Sequence, residues 1–260
     1  MLYRLIRPIF WITFRVLFAL LGGIRYEGRT NVPKQGGVLI APNHISDADP
    51  PAVGVALPRP CYFMAKEELF RIPILGLIMR VMHGFPIKRY SADRAALRYT
   101  EELLKQGEAV VIFPEGKLSQ NGQLQPLLPG VLLVAQRAGV PIIPTIIEGT
   151  DSLLPYGKLI PGHAHRRIIV RFGRPVTVAE LTEGAKGGEA HKLGAERLRE
   201  IMLALQQGRP TPEFRPAPAG DCPPPRPTAR VGAQRFAPPP SDPHAAGEGR
   251  EESAKADLVP

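Results

Sequence analysis

The sequence predicts an α/β domain built on a largely parallel central sheet flanked by helices. Short apolar runs recur along the chain, and stretches with helical spacing separate them, the alternation that builds parallel sheets. Glycines and prolines punctuate nearly every junction. Three polar segments, Asn43–Asp49, Lys88-Arg89 and Glu115–Ser119, directly follow apolar runs. In a parallel sheet they would share the carboxyl edge, where ligands of such folds collect.

Taken in order, residues 1–24 are the most hydrophobic stretch, interrupted by Arg4, Arg7 and Arg15. A spanning helix needs about 20 apolar residues with few or no charges. Three arginines point instead to a membrane-interface helix, its basic side toward headgroups and Pro8 and Trp11 near the same sector. Gly36-Gly37 precede a strand at Val38–Ala41, and Pro50-Pro51 start a short helix. Cys61–Ala65 reads as a strand and Glu67–Met82 as a helix that Pro73 bends. Gly84–Ile87 is a further strand. Ser91 caps a helix over Ala92–Gln106, which Gly107 ends. Ala109–Phe113 is a fully apolar strand, Leu127–Ala138 a helix ended by Gly139, and Pro141–Ile147 and Arg167–Phe172 are strands. His191–Gln207 is the last helix.

Beyond Gly208 the composition changes. Many of the 30 prolines lie there, including Pro223-Pro224-Pro225 and Pro238-Pro239-Pro240. Such a segment buries too little apolar surface to offset its ordering entropy, so residues 209–260 are expected to be a disordered tail. Residues 25–208 are expected to form the folded domain. The tail carries seven Lys+Arg and seven Asp+Glu, so the whole net charge of +9 belongs to residues 1–208. A basic domain of this kind suits a phosphate-rich partner. The cations are dispersed and carry no recognised nucleic-acid motif, so nucleic acid is not the expected partner. Cys61 and Cys222 offer neither a disulfide framework nor metal-ligand spacing, which favours a reducing, cytosolic side.

Four motifs bear on chemistry. His44, five residues before Asp49, follows a buried strand; a carboxylate that orients one imidazole nitrogen leaves the other for a substrate proton. The same spacing fits a turn histidine with Asp49 capping the helix that Pro50 begins, and Asp47 is a competing partner. Lys88-Arg89 ends the Gly84–Ile87 strand with two cations able to hold a phosphate, or forms a solvated basic turn. In Phe113-Pro114-Glu115-Gly116-Lys117, Glu115 can accept hydrogen bonds from substrate hydroxyls or steady the basic residues. Lys117 adds a cation, and Gly116 supplies the freedom a tight turn needs. Gly139-Val140-Pro141-Ile142-Ile143-Pro144 has no ionisable group and contributes either an apolar wall or a proline-bounded strand.

In this order and with these intervals the four blocks resemble the glycerolipid acyltransferase family that includes 1-acylglycerol-3-phosphate acyltransferases. Asn43-His44-Ile45-Ser46-Asp47-Ala48-Asp49 matches that family's Asn-His-x-Ser-x-x-Asp signature at every specified position. Gly84 to Arg89 is similar to its second block, Phe113–Gly116 to its third, and Val140–Pro144 to its fourth. The third block commonly continues Thr-Arg-Ser; here it reads Lys117-Leu118-Ser119, which leaves the acceptor headgroup open.

The resemblance implies a glycerol-3-phosphate acyltransferase-like fold and acyl transfer from acyl-CoA or acyl-carrier protein to a lysophospholipid hydroxyl. It implies His44 as base, Asp49 as its partner, and Lys88, Arg89, Glu115, Gly116 and Lys117 at the substrate. No metal or organic cofactor is implied, and the enzyme is expected on the cytoplasmic face of the cell membrane.

Overall fold

The computed structural model describes residues 2–87, 94–158, 160–185 and 187–214. Lys88, Arg89, the Ser91 cap, Cys222 and the tail from residue 215 lie outside the described residues.

Seven strands form one sheet: β1 (Ile24–Glu27), β2 (Val38–Pro42), β3 (Cys61–Lys66), β4 (Gly84–Ile87), β5 (Ala109–Val111), β6 (Ile142–Glu148) and β7 (Ile168–Phe172), in the spatial order β1-β7-β6-β2-β5-β3-β4. The strands from β6 to β4 in that order are parallel, β7 runs antiparallel to β6, and β1 is parallel to β7. The largely parallel sheet expected from sequence is present. Its margin is formed by β7, which returns antiparallel to β6, and by β1 beside it.

Period-two alternation splits the core between the two faces. Val38 and Ile40 of β2, with Cys61, Phe63, Ala109 and Val111, face α1 (Leu2–Leu20) and α2 (Asp49–Ala56). Leu39, Ala41 and Val110 face α5 (Arg94–Lys105), α6 (Gly130–Ala138), α8 (Val178–Thr182) and α9 (Gly188–Gln206). Two layers of helices thus enclose the sheet, and β2 is buried along its whole length.

The sequence expectations differ from the structure in specific ways. The helix expected over Glu67–Met82 is two helices, α3 (Glu67–Arg71) and α4 (Pro73–Val81), because Pro73 forces Ile72 out of helical geometry. β5 stops at Val111; Phe113 already belongs to the turn. α6 starts at Gly130, later than expected, because Pro129 sits at its N-cap. The strand β1 and the helices α7 (Thr150–Leu153) and α8 are too short to leave a periodic signal.

α1 packs on α2 and α4. Phe18 is buried, which contributes roughly 1.5–3 kcal/mol. Trp11 sits directly over Gly54 of α2; a Cβ there would lie 1.9 Å from the indole ring. The helical wheel groups Trp11 with the arginines, but packing turns it inward. The stripe left outward is apolar: Ile9, Ile12, Val16 and Leu20 are each more than half exposed. Among the described residues no helix is long and apolar enough to cross a membrane.

Candidate active site

His44 follows the end of β2, between the end of β5 on one side and the end of β6 on the other. Its backbone is held by the turn that follows β5. The His44 N–H donates to Glu115 Oε1 at 2.8 Å, and its carbonyl accepts from the Ser119 N–H at 2.7 Å. Its ring stacks on Phe113, centroids 4.1 Å apart. Asn43, one residue earlier, clamps β6: Oδ1 accepts from the Ile147 N–H at 2.6 Å and Nδ2 donates to the Ile147 carbonyl at 3.0 Å. This amide continues the β2–β6 pairing past the last regular pair, Pro42 with Thr145.

Asp49 is fully buried, yet every donor around it is accounted for. Oδ2 lies 2.9 Å from His44 Nδ1 and accepts from the Ile45 and Ser46 N–H groups at 2.7 and 2.8 Å. Oδ1 accepts from Thr150 Oγ1 at 2.5 Å. A carboxylate without such donors would be too costly to bury ionised. With Nδ1 directed at Asp49, the other ring nitrogen, Nε2, lies on the opposite edge of the imidazole, and the side chain retains 18% exposure. Asp47, the competing carboxylate, is exposed, while Asp49 both pairs with the histidine and begins α2. The capping reading does not hold: Ala48 is the N-cap of α2, and the Asp49 carboxylate turns back to His44, Ile45 and Ser46 rather than to the amides of its own helix.

Glu115 is also brought to this turn, but with a different set of partners. It is 4% exposed, and its oxygens accept from the backbone N–H groups of His44 and Gln125, each at 2.8 Å. Burial pushes its pKa up; the two amide hydrogen bonds, that of Gln125 before that of His44, oppose the rise without cancelling it. The structure therefore gives it a framework contact with the backbone beneath His44. Gly116 is exposed and left-handed at φ 68°, the conformation its turn demands. Lys117 is exposed beside it, with no ion pair among the described residues. The fourth block forms the buried start of β6, with Pro141 just before the strand and Pro144 within it.

Thr150 was not singled out from the sequence. It opens α7 directly after Gly149, left-handed at φ 85°. A side chain at Gly149 would also meet the Arg167 carbonyl at 2.7 Å. The readable signal was the Gly-Thr pair ending a buried strand. Ser46, two residues after His44 in the same motif, also ties to this region: its hydroxyl donates to the Leu154 carbonyl at 2.8 Å.

Fold and site together define a class: an α/β protein presenting an oriented imidazole at the carboxyl edge of a parallel sheet. A family model described as Acyltransferase matches residues 23–148. The 1-acyl-sn-glycerol-3-phosphate acyltransferase of Bacillus subtilis is 30% identical over 194 residues, 74% of this chain and 89% of that protein. The Saccharomyces cerevisiae protein of the same name is 31% identical over 205 residues, 74% of this chain and 64% of the yeast protein. The crystal structure of the 1-acyl-sn-glycerophosphate acyltransferase PlsC from Thermotoga maritima matches with a TM-score of 0.60 and 25% identity, covering 79% of each chain. The chain belongs to the acyltransferase family and is an acyltransferase enzyme of lipid biosynthesis.

Proposed function

We propose that the protein transfers a fatty acyl group from a thioester, acyl-CoA or acyl-carrier protein, to the free hydroxyl of 1-acylglycerol 3-phosphate, giving phosphatidic acid. The observation that carries the mechanism is the 2.9 Å contact between His44 Nδ1 and an Asp49 carboxylate that four donors fix. Nε2 takes the hydroxyl proton as the oxygen attacks the thioester carbonyl. The tetrahedral intermediate collapses with cleavage of the C–S bond, and the imidazolium returns the proton to the departing thiolate. Asp49 holds the tautomer and steadies the transient imidazolium. The acyl group passes directly between substrates, so no acyl-enzyme forms, and the steps call on neither metal nor organic cofactor.

Lys88, Arg89 and Lys117 hold the acceptor phosphate, and Gly116 lets backbone approach it, converting a bimolecular encounter into an oriented attack. Glu115 acts at the substrate indirectly, by setting the His44 backbone. The relatives' names support the acceptor and product. Residues 25–208 carry this chemistry. The protein works at the cytoplasmic face of the cell membrane, where its amphiphilic acceptor resides. The outward apolar stripe of α1, together with the exposed Ile72 that precedes α4 and Leu77 on α4, supports that attachment. Residues 209–260 are dispensable for turnover.

The test is an assay of purified protein with long-chain acyl-CoA and a panel of acceptors: 1-acylglycerol 3-phosphate, glycerol 3-phosphate and lysolipids without a phosphomonoester. His44→Ala should lower kcat by ~10²–10⁴-fold, the usual worth of a general base. Activity close to the parent would remove His44 from the mechanism. Preference for another acceptor would overturn the substrate assignment while leaving the base in place.

A further inference from the structure

We propose that the connection between α7 and β7 is a second membrane-contact surface, one that takes the phosphates of anionic lipid headgroups next to the active site. The proposal rests on the membrane-surface reading above and adds a surface to it.

Residues 155–167 contain Lys158, His163, His165, Arg166 and Arg167 and no acidic residue. Among the described residues of this segment only Ala164 is buried; Tyr156 is 55% exposed and Ile160 is 84% exposed. Cations interleaved with outward apolar side chains match a bilayer surface, where phosphate lies above hydrocarbon.

The segment is anchored at points that fix where it lies. It leaves from Leu154, whose carbonyl accepts from Ser46 in the His44 motif. A turn closed by the Lys158 N–H on the Pro155 carbonyl follows, and the Gly162 N–H returns to the Leu153 carbonyl. The Ala164 N–H then donates to the Leu21 carbonyl at 2.7 Å, and Arg167 lies over Gly23. The segment therefore runs from the active-site turn to the carboxyl end of α1, beside the 71% exposed Leu20. Its surface is continuous with the outward stripe of α1, and residues 1–26 contain no acidic residue either.

Exposed cations without an ion pair among the described residues occur here as they do at Arg98, Arg137 and Lys117, but here they are gathered in one segment. On the helices, Arg71, Lys105, Lys192 and Arg197 each pair with a nearby glutamate. Here only Arg166 is paired, with Asp151, and Lys158 and Arg167 have no ion pair among the described residues.

Full-length protein is incubated with phosphatidylcholine vesicles with and without phosphatidylglycerol, and binding is read by cosedimentation. The Lys158→Glu/Ile160→Asp double variant should bind the anionic vesicles at least about tenfold more weakly than the parent, since each cation near such a surface is worth about fivefold. Its acyl transfer to detergent-dispersed acceptor should remain at the parent level. Ile12→Asp/Val16→Asp on α1 is the control. If that variant detaches while the double variant binds like the parent, the proposal falls and the membrane reading stands. If the parent itself ignores vesicles, the membrane reading fails and takes the proposal with it. If the double variant keeps vesicle binding but loses turnover with acyl-carrier-protein thioesters, the surface docks an acidic protein and the lipid assignment is overturned.

Discussion

Two buried carboxylates flank His44, and the difference between them lies in what they hold. Asp49 accepts from the imidazole, two backbone amides and a threonine hydroxyl; Glu115 accepts from two backbone amides alone. One carboxylate orients the ring and the other fixes the main chain that carries it. Sequence inspection places Asp49 beside the histidine and Glu115 at the substrate, since both are acidic groups after buried strands. Only the list of donors tells chemistry from carpentry.

The largest effect expected from this contrast is at Asp49. Asp49→Asn places an amide where three N–H donors converge on one oxygen, so the wrong tautomer of His44 is favoured; kcat should fall ~10²–10⁴-fold. A variant with normal turnover would erase the distinction between the two acids.

Next comes Thr150, which fills the second oxygen of Asp49. Thr150→Val keeps the shape and deletes the hydroxyl, a loss of about 1.5–3 kcal/mol for a bond to a charged group. We expect kcat about tenfold lower with KM for both substrates unchanged, and Thr150→Ser should restore most of it. A change in KM alone would move Thr150 out of the base assembly and into substrate binding.

The smallest catalytic effect is expected at Glu115. Glu115→Gln leaves one backbone N–H facing an amide donor, so stability should drop by about 1–3 kcal/mol while kcat of the folded protein stays within a few-fold. The pH dependence carries the sharper signature. Burial raises the pKa of Glu115 above its ordinary 4.5, so the folded state binds its proton more tightly than the unfolded chain does. That contribution is fully present below 4.5 and is lost as pH rises through the raised value. Chemical denaturation of parent and Glu115→Gln across this window should show the parent losing stability with rising pH relative to the variant. Parallel curves would contradict the raised pKa.

Much of the fold was legible because its signals are local: apolar runs bounded by Gly and Pro, and a Pro that opens α2. The break at Ile72 was half visible, since Pro73 announces a bend without saying that the helix restarts. The His44–Asp49 pair could be proposed from spacing because both residues sit in one turn. Thr150 could not, because it meets Asp49 across 101 residues and only the β2–β6 register brings them together. Glu115 was visible as an acidic residue, but its partners are backbone groups, which every residue carries and no pattern marks. The outward stripe of α1 was hidden for a related reason: the void at Gly54 that receives Trp11 is a missing side chain.

The Asn43 clamp has a consequence in time as well as in space. Its two bonds reach the Ile147 peptide 104 residues downstream, and the threonine that completes Asp49 comes three residues later still. During synthesis from the amino end, the histidine and its aspartate emerge long before either is braced. Closing so long a loop costs entropy that only β6 insertion repays. The nascent chain therefore carries an unbraced His44–Asp49 pair through the first half of its translation. The bracing of the pair waits on β6 taking its place beside β2.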